Sequence, residues 1–119
     1  MTSIHVIEIP FNAWSKDKLQ KKKKRCTSRN QVYGIEGDVF VVEDKYYMIK
    51  HIIKLPLSFV RDFLYELEGA DSPGDFVNVW NAIPRHRFNE NNLVWVHFFD
   101  EINKPGKERK GRKIPAGIC

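Results

Sequence analysis

Lys24, Thr27 and Arg29 stand in a Lys-x-x-Thr-x-Arg order. They close the run Lys21-Lys22-Lys23-Lys24-Arg25-Cys26-Thr27-Ser28-Arg29, which holds six cations in nine residues. Like charge packed this densely costs self-repulsion. It is tolerated beside an anion or where the segment is fully solvated. The hydroxyl and the guanidinium fork at its end suit a phosphate or a base edge. The run is therefore either a polyanion-binding element or a solvated charge run.

Three further groups carry similar chemistry. Arg85-His86-Arg87 follows Pro84 in a polar stretch; packed over the same cleft it extends the basic patch, and otherwise it is an ordinary solvated loop. Tyr33, Trp14, Trp80 and Trp95 are candidates for stacking on bases, since single-stranded nucleic acid is gripped by basic surfaces with interleaved aromatics. Trp80 and Trp95 sit on apolar faces and read as core, which leaves Tyr33 and Trp14 as the better stacking candidates. Cys26 has no histidine near it in sequence and reads as a small buried hydrophobe, not a nucleophile. The scattered His5, His51, His86 and His97 make no metal-ligand spacing, and no cofactor is expected.

The net charge of +5 conceals a strong segregation. Residues 16–29 hold eight Lys/Arg and one Asp, and residues 103–119 hold six Lys/Arg and one Glu. The remaining chain has thirteen Asp/Glu against six Lys/Arg. An acidic body with two intensely basic segments points to a polyanionic partner more clearly than the total does. No apolar run is long enough to span a membrane, and the N-terminus shows no secretory pattern. Two cysteines in 119 residues make no disulfide scaffold. A cytoplasmic, monomeric protein is the expectation.

The elements that must position these residues follow from pattern. Residues 4–9 read as a first strand stopped by Pro10. Ser15 caps a short helix over 16–20, which the lysine run prolongs. Residues 28–37 read as a loop, with Gly37 for a tight turn and Asp38 for a backbone hydrogen bond. Residues 38–42 and 46–54 form a hairpin around Glu43-Asp44-Lys45. Pro56-Leu57-Ser58 opens a helix whose apolar face is Phe59, Phe63 and Leu67 with Val60 and Leu64, stopped by Gly69. Ser72-Pro73 caps a second helix reaching to Ile83. Residues 93–99 form a last, central strand. One domain over 1–102 is expected, with a flexible basic tail at 103–119, and the class is α+β with a small curved sheet or barrel.

Lys24-x-x-Thr27-x-Arg29 after a helix, Gly37-Asp38 opening a strand, Glu68-Gly69 at a helix end, then Ser72, Trp80 and a terminal aromatic strand together resemble the ASCH domain family. That family is similar to PUA domains. The resemblance spans residues 6–102 and implies a small PUA-like β-barrel with covering helices. It implies RNA binding in a cleft lined by the motif, here through Lys21, Lys22, Lys23, Lys24, Arg25, Arg29, Tyr33, Arg85, His86 and Arg87. A small subset of the family deacylates N4-acetylcytidine, with Thr as nucleophile, Lys as base and Glu as acid. By motif the counterparts are Thr27, Lys24 and Glu68, although Glu66 lies two residues away. An unaided Thr hydroxyl needs a base within reach, and Lys24 serves only where burial or the neighbouring cations favour its neutral form. The lysine run, the Arg85-His86-Arg87 loop and the basic tail depart from that subset and favour a polynucleotide. RNA binding is the first expectation, an amidohydrolase the second, and docking of an acidic protein the third.

Overall fold

The computed structural model describes residues 4–105. The tail expected at 103–119 lies, from residue 106 onward, outside the described residues. The elements are β1 (Val6–Ile7), α1 (Ala13–Gln20), β2 (Cys26–Arg29), β3 (Val39–Val42), β4 (Lys45–Pro56), a helix α2 over residues 57–68, α3 (Pro73–Ala82) and β5 (Leu93–Ile102). All five strands join one sheet in the order β1-β3-β4-β5-β2. β1 runs parallel to β3, and the other neighbours are antiparallel. The α+β class is as expected. Among the described residues the sheet is open, with β1 and β2 at its opposite edges, and does not form the expected barrel.

The central pair, β4 and β5, is paired from Tyr46↔Ile102 to Pro56↔Leu93. A bulge between Ile49 and His51 adds a residue to β4. An added residue reverses which parity faces which side. Tyr47 and Ile49 before the bulge therefore share a cluster with Ile52 after it, together with Phe40, Phe99, Leu19 and Ile9. Leu55, Val94, Val96 and Cys26 face the other way, against Val60, Phe76 and Trp80 of the helices. Both faces of the sheet are thus covered, and β5 contributes alternate residues to each.

Several local details depart from the sequence expectation. The first strand is only two residues long. The N-cap of α1 is Asn12, whose side chain accepts from the Ser15 N–H at 2.9 Å. The lysine run does not prolong α1. Lys22 takes a left-handed φ of 61°, and the Lys23 and Lys24 N–H groups fold back on the Lys18 carbonyl at 2.9 and 3.3 Å. Breaking the helix there spreads the ammoniums apart: Lys24 turns inward while Lys21, Lys22 and Lys23 stay in water. Residues 26–29, taken in part as a loop, are strand β2, with Thr27 paired to His97 and Arg29 to Trp95.

In α2, the segments Leu57–Phe59 and Tyr65–Glu68 are α-helical and Val60–Leu64 is a π-helical turn. Leu57 and Val60 are buried, Leu64 and Leu67 pack beside them, and Phe59 and Phe63 are left exposed with ring centres 5.0 Å apart. The stop at Gly69 is as expected, with φ 102°. A Cβ there would lie 3.0 Å from the Lys18 side chain. Gly69→Ala is accordingly expected to cost about 1–2 kcal/mol for the left-handed backbone alone, measured by denaturant unfolding. Ser72 caps α3, accepting from the Asp75 N–H at 3.0 Å. Gly37 has φ 94° and the Asp38 carboxylate accepts from the Ile35 N–H at 2.9 Å, the structural roles expected of this pair.

Candidate functional site

The edge strand β2 carries Thr27, Ser28 and Arg29 along the rim of a cavity of about 600 Å³, with Lys24 in the turn just before it. The polar wall is Lys24, Thr27, Ser28, Arg29 and Glu68. The apolar wall is Phe11, Trp14, Tyr33, Phe76 and Trp80, with His86 at its end. The wall is assembled from chain segments far apart in sequence: the turn after α1, β2, the C-terminal end of α2, one face of α3, and the loops around residues 11 and 33.

Lys24 is the tie between them. Its Nζ donates to the Glu68 Oε1 at 3.1 Å and to the Glu68 carbonyl at 3.0 Å. Both side chains are almost completely buried. The carbonyl is one of the last in α2, so the ammonium also meets the negative end of that helix. Backbone bonding fixes the approach, because the Arg25 N–H donates to the Leu67 carbonyl at 2.6 Å. The second carboxylate oxygen of Glu68 accepts from the Ser28 hydroxyl at 2.5 Å. Glu68 is thereby identified as the cavity glutamate, while Glu66 is exposed. Ser28 is a member that sequence reasoning did not single out; it lines the cavity beside its neighbours Thr27 and Arg29, against the alternation of a regular strand.

Thr27 is 3 % exposed. Its Oγ1 accepts from the Arg29 Nε at 3.1 Å. Among the described hydrogen bonds, Thr27 Oγ1 has none with Lys24 or Glu68. Arg29 also donates to the Pro10 carbonyl at 2.6 Å. Its guanidinium lies over Phe11 (4.8 Å) and Tyr33 (5.5 Å), so it is held by two hydrogen bonds and two aromatic faces. Burial draws its pKa down from the usual value, and the neighbouring Tyr33 and Glu68 act against that shift.

Behind this wall sits His97, fully buried on β5. Its Nε2 accepts from the Tyr33 N–H at 2.9 Å. Its Nδ1 faces the carbonyls of Trp95 at 3.0 Å and Thr27 at 3.3 Å. Only the neutral Nδ1–H form satisfies all of these partners. Burial pushes the His97 pKa below its ordinary value, although the two carbonyls pull upward. His97 therefore sets both Thr27 and Tyr33 in place. Nothing in its scattered sequence position signalled this.

The other expected residues are distributed unevenly. Tyr33 lines the cavity, and so does Trp14, over which Lys24 Nζ stands at 5.7 Å. Trp80 is core, as expected, yet one face also lines the cavity, stacked on His86 at 4.5 Å. Trp95 is half-buried under Lys54, away from the cavity. His86 Nδ1 is buried without a partner among the described residues, and burial lowers this side chain's pKa, with Arg29 adding to the effect. Arg85 and Arg87 are exposed on either side of His86 and do not line the cavity.

Lys21, Lys22, Lys23 and Arg25 are exposed outside it. Lys21 pairs with Asp17 at 3.1 Å and Lys22 with Glu101 at 3.2 Å. Such exposed pairs contribute little to stability and leave the cations accessible. Cys26 is fully buried, and burial followed by the Glu68 carboxylate pushes its thiol well up, which leaves it inert as a nucleophile.

No protein-family model matches the chain, and no curated protein matches it in sequence. Among solved structures, an ASCH domain from Lactobacillus crispatus superimposes with a TM-score of 0.55 at 14% sequence identity, covering 84% of this chain and 80% of that one. At that identity the likeness speaks to the backbone. The chain therefore has the fold of an ASCH domain.

Proposed function

We propose that this chain binds RNA and takes an unstacked base into the cavity beside β2. The observation that carries this reading is the composition of the cavity wall: the aromatic rings of Phe11, Trp14, Tyr33 and Trp80 together with Lys24, Thr27 and Arg29. Recognition of single-stranded RNA uses this pairing of stacking surfaces with fixed polar groups at base edges. The volume lies in the range of sites for compact organic ligands. The exposed Lys23 and Arg25, next to the cavity in sequence, suit phosphates that stay outside. RNA binding is also what the resemblance to ASCH and PUA-like domains implies.

The reading predicts a steep salt dependence for single-stranded RNA. The double variant Lys23→Glu, Arg25→Glu weakens binding, and the slope of log K against log salt becomes shallower by about 1.4, two single-strand contacts at about 0.7 each. Filter binding across a salt series measures it. An unchanged slope removes these residues from the interface.

One arrangement favours a second reading, the deacylation of N4-acetylcytidine: Lys24 and Glu68 are in contact, and Thr27 lines the same cavity. In that reaction Thr27 Oγ attacks the acyl carbon while a neutral Lys24 takes its proton, the C–N bond breaks as the amine leaves with a proton from Glu68, and water then cleaves the acyl-threonine to acetate, its protons restoring Thr27 and Glu68. The observed hydrogen bonds suit it less well. Glu68 is occupied on both oxygens, and Thr27 Oγ1 accepts from Arg29 rather than facing a base. Incubation with N4-acetylcytidine and with acetylated RNA, following cytidine release by mass, separates the two. Turnover that vanishes in Thr27→Ala establishes the enzyme; no turnover beside salt-sensitive binding leaves the binding module.

A further inference from the structure

A second cavity of about 590 Å³ adjoins the first. Pro10, Phe11 and Tyr33 line both. They form a partition with Arg29 against the Phe11 and Tyr33 rings. This partition is braced from three directions. Arg29 is bonded to Pro10 and Thr27, the Tyr33 N–H is held by His97, and Phe11 stacks on the buried Phe40 at 5.6 Å. Phe11 and Tyr33 thus border two spaces of nearly equal size, while Arg29, lying against both rings, lines the first space alone.

The second space has its own character. Ile9, Val41 and Val42 give it an apolar floor, with Val41 40% exposed. Glu8, Glu43 and Lys16 are its charged members. Two carboxylates against one ammonium disfavour a phosphate there. They suit a flat ring that donates N–H from its edge, with Lys16 serving an acceptor on the same ring.

We infer that the chain receives two consecutive nucleotides of a single strand, one base in each cavity, with the Phe11–Arg29–Tyr33 partition between them. The inference rests on the RNA reading above and adds to it a site size and a second base pocket. A stacking contact of this kind is worth about 1–3 kcal/mol per base. The second cavity should therefore raise affinity about tenfold over a single nucleoside.

The test is calorimetric titration of the wild-type chain with the four nucleosides and with ApA, CpC, GpG and UpU. Two variants accompany it, Val41→Glu and Lys16→Ala, at side chains that line only the second cavity. The expected result is a gain of about tenfold from the preferred nucleoside to its dinucleotide. That gain falls to less than about threefold in Val41→Glu and is reduced in Lys16→Ala, while nucleoside affinity stays at the wild-type value. Equal affinity for nucleoside and dinucleotide overturns the second pocket and leaves the RNA reading standing. So does a gain that both variants retain. Failure of every nucleoside and dinucleotide to bind overturns both.

Discussion

Glu68→Ala is expected to lower the unfolding free energy by about 3–5 kcal/mol, because it strands a buried ammonium without its carboxylate. Lys24 and Glu68 are 5% and 4% exposed, so neither can turn to water without moving the end of α2. Removing both charges has a different outcome. The pair Lys24→Met, Glu68→Leu leaves no uncompensated charge, and replacing a buried ion pair by apolar groups of similar size is often close to neutral. The double variant should recover most of the stability lost by the single one, as a double-mutant cycle in urea would register. Recovery separates what the pair does for folding, which is little, from what it does for a ligand. A double variant as unstable as Glu68→Ala assigns the pair to the fold instead.

His97→Leu is the second large effect. It strands the Tyr33 N–H and frees the carbonyls of Trp95 and Thr27, at a cost of about 1–3 kcal/mol for a lost buried partner. It also changes the pH profile. The folded-state pKa of His97 lies below the ordinary value of 6.5. Between those two values the unfolded chain binds a proton that the native chain does not. Wild-type stability is therefore complete above about pH 6.5 and falls as the pH drops below it. His86, also held below 6.5 by burial, adds in the same direction. Asp62 and Glu101, held below 3.8 and 4.5 by hydrogen bonds from Arg61 and Lys22, lose their contributions only at more acidic pH. Urea unfolding between pH 7.5 and 5 should show a decline in the wild type and a flatter profile in His97→Leu. Parallel declines would place the proton elsewhere.

The elements legible in the sequence are those that local chemistry dictates. The hairpin, the Ser72-Pro73 start, the Gly69 stop and the turn at Gly37-Asp38 each depend on a few adjacent residues. Lys24, Thr27 and Glu68 all line one cavity. What was hidden depends on distant partners. Strand β2 has an ordinary polar sequence and becomes a strand because β5, some seventy residues on, offers it an edge. Helix α2 buries the stripe Leu57, Val60, Leu64 and Leu67 and leaves Phe59 and Phe63 facing water, a choice between two apolar stripes that the packing partners make and the helix's own spacing does not. The bulge in β4 and the bracing role of His97 are likewise properties of pairing. The lysine run illustrates the limit of charge counting. Its four consecutive lysines look alike, yet the left-handed turn at Lys22 sends only Lys24 into the cavity.

The exposed cations and the cavity divide the proposed task. In that proposal Lys23 and Arg25 meet phosphates and give affinity that salt removes, and the cavity takes a base through shapes and hydrogen bonds that salt leaves intact. This division makes the cavity's part measurable on its own.

The most direct measurement is titration of single-stranded RNA onto the wild type and the Lys24→Met, Glu68→Leu double variant across a salt series, with the fold of each checked by urea unfolding. Fluorescence of Trp14 and Trp80, which line the cavity, reports occupancy. The account predicts a folded double variant that binds at least about tenfold more weakly, the scale of one lost base contact, with an unchanged salt slope. A folded double variant with wild-type affinity and an unaltered tryptophan response would contradict it, because RNA would then be held by surface charge alone.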